Sequence, residues 1–202
     1  MSAVTSEMFT RLPSSRSREI YFEWPDCLVF SEQRELLALT NTIIERETTI
    51  GFAEPIPKSE GMQMMRELSD ALVAGKKRLM LVRDKGTEAI VGQLILTPSH
   101  LPNCRHVAEI SRVFVHPRVR APQIITQGMR EVLRECKRVG IDVLTLDVRA
   151  DTRIHRLWES LGFETIGRYP DYARVNGQSF SGCYLYQRVE VMCEKLRVEP
   201  IV

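Results

Sequence analysis

Short-spaced pairs of cysteines are missing from this chain. Its five cysteines are scattered, which argues against a zinc knuckle and against the closely linked framework of a disulfide-rich domain. An odd number of cysteines is typical of a reducing compartment. We therefore expect a cytoplasmic protein that binds no metal. The cysteines are Cys27, Cys104, Cys136, Cys183 and Cys193.

The chain also lacks a large excess of charge of either sign. Its formal net charge is +2, with 27% charged and 44% hydrophobic residues, so its composition gives no reason to expect nucleic acid or an anionic membrane as a partner. No apolar run is long enough to span a membrane, and the N-terminus has no signal-peptide core. We expect neither a nucleic acid nor a membrane partner.

One folded domain accounts for most of the 202 residues. Residues 1–18 are rich in Ser, Thr and Arg and show little periodicity, which predicts a flexible N-terminal segment. Residues 19–202 contain no internal repeat and no sign of a second domain. They are predicted to form a single domain.

Hydrophobic periodicity predicts the order of helices and strands. A helix over 32–47 is followed by a second helix between Ser59, its predicted N-cap, and Gly75. A long helix over 124–139 and another over 151–161 are expected later in the chain. Strands are predicted over 20–24, 78–83, 89–97, 107–115, 142–148, 163–168 and 183–187. This order predicts an α+β fold in which helices flank one mixed, mostly antiparallel sheet.

The most informative stretch runs from the strand at 107–115 into the helix at 124–139. His116 and Pro117 close the strand, and a basic turn, Arg118-Val119-Arg120-Ala121-Pro122-Gln123, leads into the helix. The first amides of a helix have no partner within it, and the helix dipole favours an anion beside them. A strand that enters a helix through a short basic loop can therefore hold phosphate. This pattern predicts a cofactor with a phosphate-rich handle.

Two segments resemble the GNAT superfamily of acyl-CoA-dependent N-acetyltransferases. One is the strand ending in Val113-Phe114-Val115-His116-Pro117 with its turn and helix, and the other is Arg156-Leu157-Trp158-Glu159-Ser160-Leu161-Gly162-Phe163. The resemblance covers roughly residues 36–187. It implies a GNAT-type fold and the transfer of an acetyl group, without a metal, from acetyl-CoA to the amine of a small molecule. Homodimers are common in the family, and the oligomeric state of this chain stays open.

The resemblance also implies which residues contact CoA. The family's pyrophosphate loop is usually Gln/Arg-x-x-Gly-x-Gly/Ala, whereas this chain has Ala121 and Gln123 at glycine positions, and Pro122 removes an amide donor. Two alternatives therefore stay open: an acyltransferase with a different acyl group or a carrier-protein donor, and a non-catalytic binding module. The residues assigned to the cofactor are Val113, Phe114, Val115, Arg118, Arg120, Ala121, Pro122, Gln123, Ile124, Ile125, Thr126, Asp151 and Trp158.

Two of these residues differ from what many family members carry. Trp158 stands where many members have the tyrosine that reprotonates the CoA thiolate. The indole N–H has no accessible acidity, so we expect Trp158 mainly to pack. Asp151 stands where the family often has an asparagine near the cofactor.

Glu109 is the predicted catalytic base. An amine attacks a thioester only when it is neutral, and the thioester oxygen needs a donor as it becomes negative. By resemblance, that donor is a backbone N–H of Phe114 or Val115, and Glu109 stands where related enzymes often carry a water-activating glutamate. The alternative for Glu109 is a structural ion pair with Arg112 or Arg78.

Tyr172 is the predicted general acid. Together with Tyr169 it lies in what we expect to be an aromatic loop before the last strand, from which a phenol could reach the site. Packing in the core or at its rim is the alternative role for both tyrosines. Glu47 and Glu54 flank the loop after the first helix, where carboxylates would attract a cationic amine; solvated loop charges are the alternative.

Overall fold

A computed structural model describes residues 19–46, 51–52, 54–119 and 121–199. The predicted flexible segment 1–18 lies outside the described residues, as does Glu47. The strands are β1 (Ile20–Glu23), β2 (Arg78–Asp84), β3 (Ile90–Pro98), β4 (Val107–Val115), β5 (Val143–Arg149), β6 (Glu164–Val175) and β7 (Gln178–Arg188). The α-helices are α1 (Phe30–Ile44), α2 (Lys58–Val73), α3 (Pro122–Val139), α4 (Arg153–Leu161) and α5 (Val189–Leu196).

The seven strands form a single sheet in the order β1-β2-β3-β4-β5-β7-β6. Each neighbouring pair is antiparallel except β4 and β5, which are parallel because α3 carries the chain back between them. The predicted α+β fold with a mixed, mostly antiparallel sheet is confirmed.

Helices cover both faces of the sheet, since successive side chains of a strand point to opposite faces. On β2, Leu79 and Leu81 face α1 and α2, whereas Met80 between them faces α3. The α1–α2 face is sealed by apolar side chains such as Leu36, Ile43, Met65, Leu68 and Ile95. The opposite face is sealed by side chains of α3, α4 and α5 such as Val132, Leu133, Trp158, Leu161 and Met192.

The helix ends are partly as expected. Gly140 and Gly162 have φ of 75° and 115°, and these left-handed residues end α3 and α4 as the sequence predicts. The predicted N-cap Ser59 is wrong, because α2 already begins at Lys58 and Pro57 is its N-cap residue. Proline is tolerated at a helix start, where no amide partner is lost. Among the described helices, none is long and apolar enough to cross a membrane.

The aromatic loop predicted before the last strand is wrong. β6 continues through Tyr169 and Tyr172 to Val175, and β7 returns after a two-residue turn. The turn residues Asn176 and Gly177 have φ of 50° and 75°. An Asn-Gly pair favours the tight hairpin turn that requires positive φ at both positions. The two strands are therefore longer than hydrophobicity alone predicts.

Candidate active site

β4 and β5 separate in the middle of the sheet. Their parallel pairing covers only residues 107–109 of β4 and 143–145 of β5. Beyond the Glu109–Thr145 pair, the two strands continue without pairing to each other, so a gap opens between them. Exposed strand edges can hydrogen-bond an extended ligand as if it were an added strand.

A β-bulge in β4 lies beside this gap. Ser111 pairs with Ile95 and Phe114 with Gln93, so two residues of β4 stand opposite one residue of β3. Arg112, in the bulge, has a φ of 50°, a conformation that costs a non-glycine residue about 1–3 kcal/mol. The buried Gln93 side-chain amide donates a 3.2 Å hydrogen bond to the Arg112 carbonyl. This hydrogen bond holds the bulge in place.

A cavity of about 920 Å³ lies where β4 and β5 separate. It is large enough for a cofactor arm together with a small substrate. Its walls come mainly from β4, β5, β6, α3 and α4, with further residues from β1, β2, β3 and the α1–α2 loop. The α3–α4 side is mostly apolar and includes Ile124, Ile125, Leu157 and Trp158.

The N-terminus of α3 opens at one end of the cavity. Its N-cap residue, Ala121, makes no side-chain cap, and the first turn carries no acidic residue. The helix dipole there is therefore available to an external anion. The preceding turn is pinned by Val119, which is buried against Val82 and Val91. The Arg118 amide donates to Nδ1 of His116 over 3.2 Å.

Asp147 and Tyr172 meet in the cavity wall. Leu146 packs into the α3 side of the core, so Asp147, the next residue of β5, faces the α1–α2 side. The Tyr172 phenol lies beside the Asp147 carboxylate. Burial first, and then hydrogen bonding to Asp147 and the charge of that carboxylate, raise the pKa of Tyr172 above its ordinary value. The phenol is therefore protonated at neutral pH.

An aromatic cluster positions Tyr172. Its ring meets Tyr169 edge-on at 5.4 Å between centroids, and Tyr169 stacks on Tyr184 at 4.7 Å. Burial and a hydrogen bond with Tyr184 raise the pKa of Tyr169 to about 12. Beneath Tyr172 lies Gly182 of β7, whose missing side chain leaves room for the ring.

Arg112 also lines the cavity, near the α1–α2 loop. Its Nη1 lies 3.3 Å from the sulfur of Met64, and its Cζ lies 5.5 Å from the centroid of the Phe52 ring. Burial lowers the pKa of Arg112. No group of three or more His, Cys, Asp or Glu side chains in the described part of the chain is arranged to hold a metal ion.

The sequence model of the Acetyltransferase (GNAT) family matches residues 45–163, more than half of the chain. The chain belongs to the GNAT acetyltransferase family. A comparison with curated protein sequences returns no match.

Solved structures show the same fold at low sequence identity. Ribosomal-protein-alanine N-acetyltransferase from Brucella melitensis is 19% identical with a TM-score of 0.68, over 83% of this chain and 99% of that one. Spermidine N-acetyltransferase from Vibrio cholerae, solved with CoA and spermine, is 15% identical with a TM-score of 0.68, over 86% and 97%. The acetyltransferase yncA from Salmonella typhimurium, solved with its cofactor acetyl-CoA, is 13% identical with a TM-score of 0.69, over 85% and 94%.

Many of the predicted GNAT site residues do meet in one place. Those that line the cavity are Val113, Phe114, Val115, Ala121, Ile124, Ile125, Trp158 and Tyr172. Outside its wall lie Arg118 and Gln123, both exposed near the start of α3, and Thr126 in the same helix. Pro122 is the first residue of α3. Arg120 lies outside the described residues.

Glu109 and Asp151 are not brought into the cavity. Glu109 is exposed on β4, in the last residue pair before the gap, and lies outside the cavity wall. It forms neither of the ion pairs considered for it, because Arg78 pairs with Glu135 and the Arg112 guanidinium packs on Met64. Asp151 is exposed and forms an ion pair with Arg168 of β6, whose Nη2 lies 2.6 Å from Oδ1 of Asp151.

Trp158 has a packing role in this GNAT chain, as the sequence predicts. It is 7% exposed, belongs to the α3-side core and meets Phe163 edge-on at 5.4 Å. The same side chain also forms part of the cavity wall.

Sequence reasoning overlooked Asp147 and did not consider a ligand for Arg112. Both are charged residues inside strands of otherwise apolar character. A buried charge is costly unless it has a partner or a function. That signal could have singled out Asp147 within Leu144-Thr145-Leu146-Asp147-Val148. The bulge that turns Arg112 into the cavity has no comparable local signal.

Proposed function

We propose that this GNAT protein transfers an acetyl group from acetyl-CoA to the amine of a small molecule. The observation that carries the proposal is the gap where β4 leaves β5, filled by one continuous cavity. The strand edges beside the gap offer backbone groups to the amides of a pantetheine arm. The uncapped start of α3 offers amides and a positive dipole to the diphosphate.

Asp147 is the carboxylate best situated to receive the amine proton, because it is the one carboxylate among the described residues of the cavity wall. The neutral amine forms a bond to the thioester carbon, its nitrogen gives up one proton to Asp147, and the carbon–sulfur bond breaks as the carbonyl re-forms, which releases CoA as a thiolate. Backbone N–H groups after the β4 bulge, at Phe114 or Val115, would stabilise the negative carbonyl oxygen. These amides remain a prediction.

Tyr172 is the proposed proton donor to the departing thiolate. While Asp147 is charged, it helps to hold the pKa of Tyr172 above its ordinary value. Once Asp147 has taken the amine proton, that charge is gone and the pKa of Tyr172 falls, so the phenol becomes a better acid when the thiolate forms. The pair therefore couples the two proton transfers.

Glu109 stays a prediction as the catalytic base, acting through water from outside the cavity wall. Two matched variants separate it from Asp147. If Asp147 is the base, Asp147→Asn should lower kcat while Glu109→Gln leaves it within about twofold, against the 10²–10⁴-fold that a general base usually contributes. The opposite pattern would return the role to Glu109.

The donor is tested first, by calorimetric titration with CoA and acetyl-CoA. We expect binding, a raised melting temperature and release of free thiol when an amine panel is added. Binding of an acyl carrier protein without binding of free CoA would favour the carrier-protein donor. Failure to bind any acyl donor would favour a non-catalytic module and reject the transferase.

We further propose that the protein acts in the cytoplasm. All five cysteines are free thiols, three of them buried, which fits a reducing compartment. Cell fractionation with an antibody against the chain tests this, and recovery in a secreted or membrane fraction would reject it.

A further inference from the structure

Arg112 is a partly buried cation without a carboxylate partner among the described residues. Its contacts are apolar or weakly polar: the Met64 sulfur at 3.3 Å and the Phe52 ring at 5.5 Å. An arginine cannot be deprotonated at ordinary pH, so the guanidinium remains charged in this setting. A cation that is partly removed from water without an opposite charge favours an incoming anion.

The backbone conformation of Arg112 and the side chains around it fix the position of this guanidinium. The bulge sets the positive φ of Arg112, and the Gln93 amide holds its carbonyl at 3.2 Å. Met64 of α2 and Phe52 of the α1–α2 loop then flank the side chain. Because the head group is already positioned, an anion bound there loses little binding energy to the ordering of the arginine.

The cavity wall is cationic as a whole. Its described charged residues are one carboxylate, Asp147, and four arginines, Arg112, Arg149, Arg153 and Arg174. Apart from Asp147, the charged side chains of this wall would repel a polycation.

The other three arginines have different surroundings. Arg149 stacks on Phe180, with its Cζ 4.2 Å from the ring centroid. Arg174 forms an ion pair with Asp171, with Nε 2.8 Å from Oδ1. Arg153 is exposed at the start of α4, where solvent screens its charge. Arg112 is thus the arginine of the described wall that is sheltered from solvent and has no carboxylate partner. Its Cζ also lies farther from an aromatic ring than that of Arg149 does.

Arg112 also lies away from the phosphate end of the cavity. It contacts α2 and the α1–α2 loop, whereas α3, whose N-terminus suits a diphosphate, packs on the opposite face of the sheet. Asp147 faces the same side as α1 and α2. An acceptor that enters from this side meets the Arg112 guanidinium and the Asp147 carboxylate together.

We propose that the acceptor is an amine that also carries an oxyanion, a carboxylate or a phosphonate, which pairs with Arg112 while its amine approaches Asp147. This inference rests on the proposed acetyl transfer and narrows its acceptor class. The planar guanidinium can bind either oxyanion through two parallel hydrogen bonds.

The test compares acceptors that differ only in the anion. L-methionine and L-phenylalanine are each paired with their amino-acid amide, and thiol release from acetyl-CoA is measured after correction for the fraction of neutral amine. We expect the anionic member to have a kcat/KM about 10- to 100-fold higher, the range of a charged hydrogen-bonded contact. β-Alanine against 2-aminoethylphosphonate then distinguishes the carboxylate from the phosphonate, and spermidine is expected to be poor.

Arg112→Met should abolish the preference for the anionic member and leave the dissociation constant of CoA unchanged. Arg66→Met is the matched control, because Arg66 is an exposed residue of α2 outside the cavity wall. Equal use of acids and amides by the unaltered protein would overturn the inference while leaving acetyl transfer intact. Weakened CoA binding in Arg112→Met would also overturn it, because the arginine would then serve the cofactor.

A binding measurement keeps the inference testable without turnover. In the presence of CoA, N-acetyl-L-methionine should bind about 10-fold more tightly than N-acetyl-L-methioninamide, and Arg112→Met should remove the difference. Equal binding of the two by the unaltered protein would reject the anion site. Failure to bind CoA at all would instead reject the proposed function.

Discussion

Gly182→Ala should impair the function of Tyr172, the proposed general acid, although Tyr172 itself is not mutated. A Cβ at Gly182 would lie 2.5 Å from Cγ of Tyr172, 2.7 Å from its Cβ and 2.8 Å from its Cδ2. The closest of these contacts is 0.9 Å shorter than the 3.4 Å at which ordinary contact begins. The atoms concerned are at the stiff base of the tyrosine side chain, so the ring cannot avoid the clash by swinging its far end. Tyr172 or its strand must move by roughly 1 Å.

Such a shift has two consequences. Overpacking of this kind costs about 1–3 kcal/mol of unfolding free energy, which lowers Tm by about 2–10 °C in a chain of this size but leaves it folded. It also moves the Tyr172 hydroxyl away from Asp147. A displacement of about 1 Å at a reacting group can cost about 10²-fold in rate, so we expect a loss of that order in kcat with KM for acetyl-CoA little changed.

Gly167→Ala is the control, because Gly167 lies in the same hairpin and a Cβ there meets nothing within 4 Å. Both variants are compared by thermal melting and by thiol release from acetyl-CoA, alongside Tyr172→Phe. We expect Gly167→Ala to be fully active and Gly182→Ala to resemble Tyr172→Phe. Full activity of Gly182→Ala would refute the claim that catalysis requires Tyr172 to keep its position. Equal losses in the two alanine variants would point to the hairpin as a whole.

Three further predictions concern the proton pair, the cofactor loop and the core. Asp147→Asn should lower kcat by about 10²–10⁴-fold and move the alkaline limb of the pH–rate profile to lower pH, because the charge that helps to raise the pKa of Tyr172 is gone. Arg120→Ala should weaken CoA binding by about 1–3 kcal/mol in calorimetry if Arg120 contacts phosphate. Glu135→Gln should lower the unfolding free energy at neutral pH by up to about 3 kcal/mol in urea titrations, because the buried carboxylate pairs with Arg78 and Arg138.

The Glu135 prediction has a defined pH dependence. Burial raises the pKa of this carboxyl, but Arg138 and Arg78 outweigh burial, so the pKa of Glu135 in the folded protein lies below its ordinary value. The ion pairs therefore stabilise the fold above about pH 4.5, and this contribution disappears as the pH falls through the folded pKa. The cost of Glu135→Gln should shrink over the same range. A cost independent of pH would contradict this account, as would an unmoved alkaline limb in Asp147→Asn or unchanged CoA affinity in Arg120→Ala.

Local patterns predicted much of the fold. β4 runs from Val107 to Val115 as expected, because alternating side chains between turn residues specify a strand. Gly140 and Gly162 end their helices because few other residues adopt a positive φ at low cost. The β6–β7 hairpin was underestimated, since aromatic and polar residues were taken for a loop although Asn176-Gly177 signals a tight turn.

The site was predicted less completely than the fold. Residues of the strand–turn–helix motif, such as Phe114, Val115 and Ile124, do line one cavity. Tyr172 reaches it as part of a strand and not from a loop. Glu109 carries the right chemistry but is exposed and lies outside the cavity wall, because it stands in the last residue pair that still joins β4 to β5, before the gap opens.

The amino-acid order carries the strand–turn–helix arrangement and the membership in the GNAT family, since periodicity, turn residues and helix ends act over a few neighbouring positions. The meeting of Asp147, Tyr172 and Arg112 in one cavity depends instead on where β4 leaves β5, on a one-residue bulge and on the pairing of β6 with β7. These are contacts between residues far apart in the chain, and a one-residue change of register would turn each of those side chains away from the others.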